Sequence, residues 1–107
     1  DRYIDNRRYA EAYTREKMHL AGWGERKIAM QLRLKGVERE TISAVLSELM
    51  ADDDTAERLR ERLEKRLRTT KATNDYELKG KLFRYALGLG YDYDMAAEAV
   101  ARVAKQK

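Results

Sequence analysis

The chain has no cysteine and no proline, and its 107 residues include a single histidine, a single tryptophan and a single phenylalanine. Without cysteine there is no disulfide, no zinc knuckle and no thiol nucleophile, and this usage suits a reducing cytoplasm. With His19 alone there is no HExxH pair, and no glycine-rich loop follows a strand to cradle a phosphate, so a hydrolase or metal enzyme lacks its converging polar groups. No apolar run approaches the roughly 18 residues of a membrane span, and the N-terminus has no signal-peptide hydrophobic region. A soluble cytoplasmic protein with no membrane partner is expected. Asp1 is not an initiator methionine, so trimming or unrepresented upstream sequence is expected as well.

What the chain has is charge and helix-forming residues. Asp, Glu, Lys and Arg make up 39% of it, the net charge is +4, and only six residues are glycine. This mix favours solvated helices over strands or disorder. The charge is uneven. Residues 58–84 carry ten Lys or Arg against Glu61, Glu64, Asp75 and Glu77, and a second basic run, Arg26, Lys27, Arg33 and Lys35, contains no acid. Such clusters suit phosphate backbones or acidic protein surfaces, although solvated helix faces carry them too.

The apolar spacing predicts six helices and an all-α fold. Asp5 can cap a helix over 6–20, with Tyr9, Tyr13 and Leu20 near helical spacing, and Gly22-Trp23-Gly24 ends it, both glycines permitting a sharp turn. A helix over 25–35 buries Ile28, Ala29 and Leu32 and stops at Gly36, where Val37 closes the turn. The third, over 39–50, shows Ile42, Val45, Leu46 and Leu49 at i, i+3, i+4 and i+7. Asp52, Asp53 and Asp54 favour the positive start of a fourth helix over 54–68, with Ala56, Leu59, Leu63 and Leu67 as its seam and Glu61–Lys65 and Glu64–Arg68 as i,i+4 pairs. Asn74 or Asp75 caps a fifth, lined by Leu78, Leu82 and Ala86 and stopped at Gly90. Asp92 caps a sixth, with Tyr93, Ala96, Ala99, Val100 and Val103 on its buried face and Lys105 and Lys107 at its negative end.

These helices repeat. At an offset of 54, Gly36 falls on Gly90, Lys27 on Lys81, Ile28 on Leu82, Val37 on Tyr91, and Val45, Leu46 and Leu49 on Ala99, Val100 and Val103; upstream, Tyr9 falls on Leu63 and Tyr13 on Leu67. Two three-helix modules, 1–51 and 52–107, are expected to form an elongated stack that shares hydrophobic faces.

Chemistry is sparse. His19 near a helix end reads as a residue favouring the C-terminal dipole, and the acids at 52–54 lack the spaced ligands of a calcium loop. No catalytic residue, metal or cofactor is expected. Trp23 is either a local hydrophobic plug or a partner anchor. At 100° per residue, Arg26 and Arg33 fall opposite Ile28 and Leu32, while Arg84 points away from the Leu78–Leu82–Ala86 stripe with Lys81 on its flank. The second helix of each module thus carries a basic outer surface.

The run Asp5-Asn6-Arg7-Arg8-Tyr9-Ala10-Glu11-Ala12-Tyr13, followed by Gly22-Trp23-Gly24-Glu25-Arg26-Lys27-Ile28, Leu32, Lys35-Gly36-Val37 and Ile42, resembles the central repeat of the RecX family, bacterial regulators of the recombinase RecA. Lys81-Leu82-Phe83-Arg84-Tyr85 with Gly90-Tyr91-Asp92-Tyr93-Asp94 resembles the family's last repeat, so the likeness spans nearly the whole chain. It implies tandem three-helix repeats, usually three, with a further N-terminal repeat. It also implies a protein that lies along the groove of the RecA–single-stranded DNA filament and restrains its ATPase, strand exchange and assembly; with no catalytic constellation in the sequence, a noncatalytic monomer is expected, with direct DNA contact as a further possibility. Arg26, Lys27, Arg33, Lys81 and Arg84 are the first candidates to meet the filament, Arg7, Arg8, Arg15 and Lys17 the second. Ala86 and Ala96 stand where the family more often has larger aliphatic residues, and Trp23 is an unusual choice between its glycines. A nonspecific DNA-binding helical domain and a generic helical adaptor are the alternative readings; Glu38, Glu40 and Glu48 on the third helix disfavour base readout.

Overall fold

The computed structural model describes residues 2–51 and 54–105, with side chains from residue 6 onward. Among them are six helices and no strand: α1 (Arg2–His19), α2 (Glu25–Leu34), α3 (Arg39–Met50), α4 (Thr55–Thr69), α5 (Asp75–Gly88) and α6 (Tyr93–Lys105). The Asp5 side chain, Asp52, Asp53 and Lys107 lie outside the described residues.

Local signals set most of the boundaries. The side chains of Asp54, Asn74 and Asp92 accept hydrogen bonds from the backbone N–H groups of Glu57, Glu77 and Met95, at 3.1, 2.8 and 2.8 Å. These satisfy orphan donors in the first turns of α4, α5 and α6. Gly36 and Gly90 sit at φ +90° and +100°. Beyond each, an apolar residue folds back: the Val37 N–H donates to the Leu32 carbonyl and the Tyr91 N–H to the Ala86 carbonyl. Both side chains are buried. The two turns are the same Schellman-type stop.

Each set of three helices has its own core. Ala10, Met18, Ile28, Leu32, Val37, Ile42, Val45 and Leu46 form one cluster; Leu59, Leu63, Leu78, Leu82, Ala86, Tyr91, Ala96, Ala99, Val100 and Val103 form the other. The molecule measures 55 × 25 × 21 Å with a radius of gyration of 15.5 Å. A compact chain of this length would have about 13 Å, so the two units lie along an axis and do not collapse into one ball.

Several expectations need correction. α1 is already helical at Asp5, which therefore does not cap it. The buried stripe of α1 is Ala10, Thr14 and Met18; Tyr9 is exposed, Tyr13 half-buried and Leu20 fully outside. The small Ala10 and Thr14 allow close approach to α3, and the tyrosines flank that contact. Ala10, Thr14 and Met18 consequently match Leu59, Leu63 and Leu67, an offset of 49. The offset of 54 holds from the middle of α5 onward, where Leu82 and Ala86 match the buried Ile28 and Leu32; α5 has 14 residues against 10 in α2, and its extra first turn, with Leu78, accounts for the change. Ala56 and Tyr93 are exposed, not core. Glu64 pairs with Arg60 at 2.6 Å, and Arg60 also pairs with Glu57, in place of the expected Glu64–Arg68 and Glu61–Lys65 pairs. Gly24 has an ordinary φ of −87°, so backbone freedom is not what that position requires.

Candidate binding surface

The basic residues singled out in the sequence fall into three structural situations. Arg26, Arg33 and Arg84 are exposed and form no ion pair among the described residues, as are Arg8 and Arg15 on α1. Others are engaged. Arg7 reaches across to α3, pairing with Glu48 at 2.6 Å and with Glu11 at 3.5 Å. Lys81 donates to the Lys71 carbonyl at 2.5 Å and pairs with Glu77 at 3.1 Å. That arrangement closes the α4–α5 loop: Glu77 also accepts from the Thr73 hydroxyl at 2.7 Å, and these bonds, with Lys81, hold its carboxyl down at about 2.

Lys17, Lys27 and Lys35 belong to an aromatic shelf. Tyr13 and Trp23 meet edge to face at 6.2 Å, with Tyr9 tilted against Tyr13 at 5.9 Å. Lys27 Nζ lies 4.5 Å and Lys17 Nζ 5.0 Å from the Trp23 ring centre; Lys17 and Lys35 lie 5.4 and 5.6 Å from that of Tyr13. Cations over ring faces are stabilised by the ring quadrupole. Burial, reinforced by Tyr9 and Glu16, pushes the Tyr13 hydroxyl up, so it stays protonated as a donor. Trp23 is half-buried against the first core, a plug whose ring Lys17 and Lys27 approach.

The joint between the two units escaped the sequence reading. α2 has no side-chain N-cap, because its first N–H groups are satisfied by the end of α5: the Gly24 N–H donates to the Leu89 carbonyl at 2.6 Å and the Arg26 N–H to the Gly90 carbonyl at 3.1 Å. Orphan donors of one helix thereby meet orphan acceptors of another, and the two dipoles run head to tail. This contact is what glycine serves at position 24, since a Cβ there would lie 2.7 Å from the Gly90 carbonyl group. Lys27 Nζ adds a bond to the Gly88 carbonyl at 3.3 Å.

On the other side, α4 caps the end of α1. Arg58 donates to the Met18 and Trp23 carbonyls, at 3.3 and 2.8 Å, and Arg62 to those of His19 and Leu20, at 3.3 and 3.0 Å. The buried Tyr91 hydroxyl accepts from Arg58 at 2.8 Å and donates to the Gly22 carbonyl at 3.0 Å. Two of the cations in the basic stretch 58–84 are therefore structural. The only hint in the sequence was Tyr91, a hydroxyl-bearing residue where the first copy has Val37.

Comparisons with known proteins agree with this architecture. Residues 5–46 match the family description "RecX, second three-helix domain" and residues 52–100 match "RecX, third three-helix domain". The chain is 35% identical over 102 residues to the regulatory protein RecX of Clostridium perfringens (strain 13 / Type A), covering 94% of this chain and 47% of that protein. It is 35% identical over 100 residues to that of Mycobacterium sp. (strain KMS), covering 91% and 55%. For that of Mycolicibacterium smegmatis, identity is 34% over 101 residues, covering 92% and 54%. The chain thus spans about half the length of the curated relatives it matches. No solved structure matches it.

Proposed function

The chain belongs to the RecX family, and from that membership we propose that it is a noncatalytic regulator that binds the RecA–single-stranded DNA filament and restrains its ATPase and recombinase activities, in DNA repair, recombination and the SOS response. The same reading has it act as a monomer in the cytoplasm.

One observation carries the geometric side of this reading. Arg26 and Arg33 on α2 and Arg84 on α5 are exposed and unpaired among the described residues, and the two helices that bear them are joined end to end by main-chain bonds. The cations of both units therefore belong to one elongated body, which suits a long anionic partner better than a small ligand. A rigid bridge that touches neighbouring RecA subunits favours whichever filament state fits it, so inhibition follows from differential affinity. Lys81 and Lys27 are partly committed to internal bonds, which ranks them below the three arginines; Arg8 and Arg15 remain available on α1 and Arg7 less so.

Direct contact with single-stranded DNA is the second reading, favoured by the lysines over Tyr13 and Trp23, since ring faces and cations together suit bases and phosphates. Lys17 and Trp23 would then serve DNA and not protein.

Reversing Arg26, Arg33, Lys81 and Arg84 to Glu should leave helicity intact, weaken co-sedimentation with RecA filaments and relieve inhibition of RecA ATPase. Wild-type binding should fall with ionic strength, and the variant's slope should be shallower. Unchanged inhibition by a folded four-site variant at every salt concentration would remove the basic faces from the mechanism. Parallel pull-downs on free DNA, free RecA and assembled filament divide the first reading from the second.

A further inference from the structure

The outer side of α5 does not look like the solvent face of an ordinary helix. Its inner stripe, Leu78, Leu82 and Ala86, is buried in the second core. A second stripe runs along the other side at i, i+3, i+4, i+7 and i+8: Tyr76, Lys79, Gly80, Phe83 and Arg84. α6 behaves in the same way, since Tyr93, Ala97 and Ala101 face the same space as the α5 stripe while Ala96, Ala99 and Val103 serve the core. An open groove results between the two helices. Its walls are aromatic, with Tyr76 89% and Tyr93 65% exposed and Tyr93 packed edge to face on Phe83 at 4.9 Å. Its floor is apolar, the buried Val100 bordered by the small residues Gly80, Ala97 and Ala101.

Large exposed aromatics on two adjacent helices mark a contact surface more than a solvated one. Small residues between the aromatic walls leave room for a helix, which is how amphipathic segments dock with anchors at i, i+3, i+4 and i+7. The charge of the rim selects among such segments. Lys79 and Arg84 are exposed and form no ion pair among the described residues, whereas the one lining acid, Glu77, is already engaged by Thr73 and Lys81. The available rim charge is positive.

We infer that the α5–α6 groove is a docking site for an acidic amphipathic protein helix, which sets its apolar anchors between Tyr76, Phe83 and Tyr93 and its carboxylates against Lys79 and Arg84. The site is additional to the basic ridge and shares only Arg84 with it. Nucleic acid fits less well, because the floor is apolar and the cations are confined to the edges.

Fluorescence anisotropy with three labelled probes tests this on the full chain: a helical peptide with Leu at i, i+3, i+4 and i+7 and Glu elsewhere, the same peptide with Lys for Glu, and an oligothymidylate. The acidic peptide should bind at least about tenfold more tightly than the basic one, and Ala97→Arg, which fills the groove from an exposed helical position, should weaken it about tenfold. Lys79→Glu should weaken it as well, and both variants should keep the wild-type circular dichroism. Equal binding of the acidic and basic peptides, an acidic-peptide affinity unchanged by Ala97→Arg, or an oligothymidylate affinity that Ala97→Arg lowers instead, would overturn the inference. Concentration-dependent self-association abolished by Ala97→Arg, with no acidic-peptide binding, would assign the groove to a second copy and overturn it too. Co-sedimentation with RecA filaments, measured on the same variants, reports separately on the proposed function: loss of filament binding by the four-site variant with peptide binding to Ala97→Arg unaltered leaves that function standing and removes the groove.

Discussion

Thr14 is fully buried in the first core with no hydrogen-bond partner for its hydroxyl among the described residues. A buried hydroxyl without a partner costs on the order of 1–3 kcal/mol relative to an apolar group of the same shape. Thr14→Val should therefore raise stability by about 1 kcal/mol in urea unfolding, and a loss of stability would show that the hydroxyl has a partner in solution. Glu77 gives a pH-dependent counterpart. Its folded-state carboxyl is held at about 2 against an ordinary 4.5, so its stabilisation is complete above the ordinary value and is lost as pH falls towards 2. Wild type should melt above Glu77→Gln at pH 7, and the two melting temperatures should converge between pH 4.5 and 2. A constant gap across that range would remove Thr73 and Lys81 as the cause. Tyr9 and Tyr93 show why periodicity misassigned residues: both lie at the border of a helical stripe, where a large ring satisfies the spacing and yet remains outside, and only the partner helix decides which flank is covered.

Helix existence and helix ends were legible because their causes are local. The caps at Asp54, Asn74 and Asp92 and the stops at Gly36 and Gly90 act within a few residues of themselves. The α5–α2 joint was not legible, because it rests on main-chain bonds between groups more than sixty residues apart, to which Lys27 adds a single side-chain bond that no pattern announces. Two glycines separate the local from the distant cause. Gly36 has φ +90° and open space around its Cβ position, so Gly36→Ala should cost only the backbone strain of about 1–2 kcal/mol and leave the overall shape unchanged. Gly24→Ala meets no strain at φ −87°, but its Cβ would strike the Gly90 carbonyl group. The joint must open, at about 1–3 kcal/mol for two main-chain bonds, and the radius of gyration in X-ray scattering should rise above that of the wild type measured alongside. If both variants scatter alike, the end-to-end contact does not hold the units together.

At the scale of the molecule, two small cores act as one body only if the joint couples them. Each core draws on three short helices, a size at which independent folding is marginal, so the interface should contribute to the stability of both units. Arg58 and Tyr91 lie at its centre: one guanidinium binds main-chain carbonyls of the first unit and the tyrosine hydroxyl of the second. Arg58→Met with Tyr91→Phe keeps the aliphatic stem and the buried ring, so both cores survive while these bonds are removed. Trp23, the sole tryptophan, reports on the first unit beside the joint, and circular dichroism reports on all six helices. In the wild type the two urea transitions should coincide; in the double variant they should separate, with a coupling between the two substitutions of about 0.5–3 kcal/mol. The same variant should bind RecA filaments more weakly although every exposed arginine of the ridge is intact, because a flexible link lets each unit bind without its neighbour's orientation. Coincident transitions at an unchanged midpoint would mean that the units are held by other contacts, and the rigid-bridge account of inhibition would lose its structural basis.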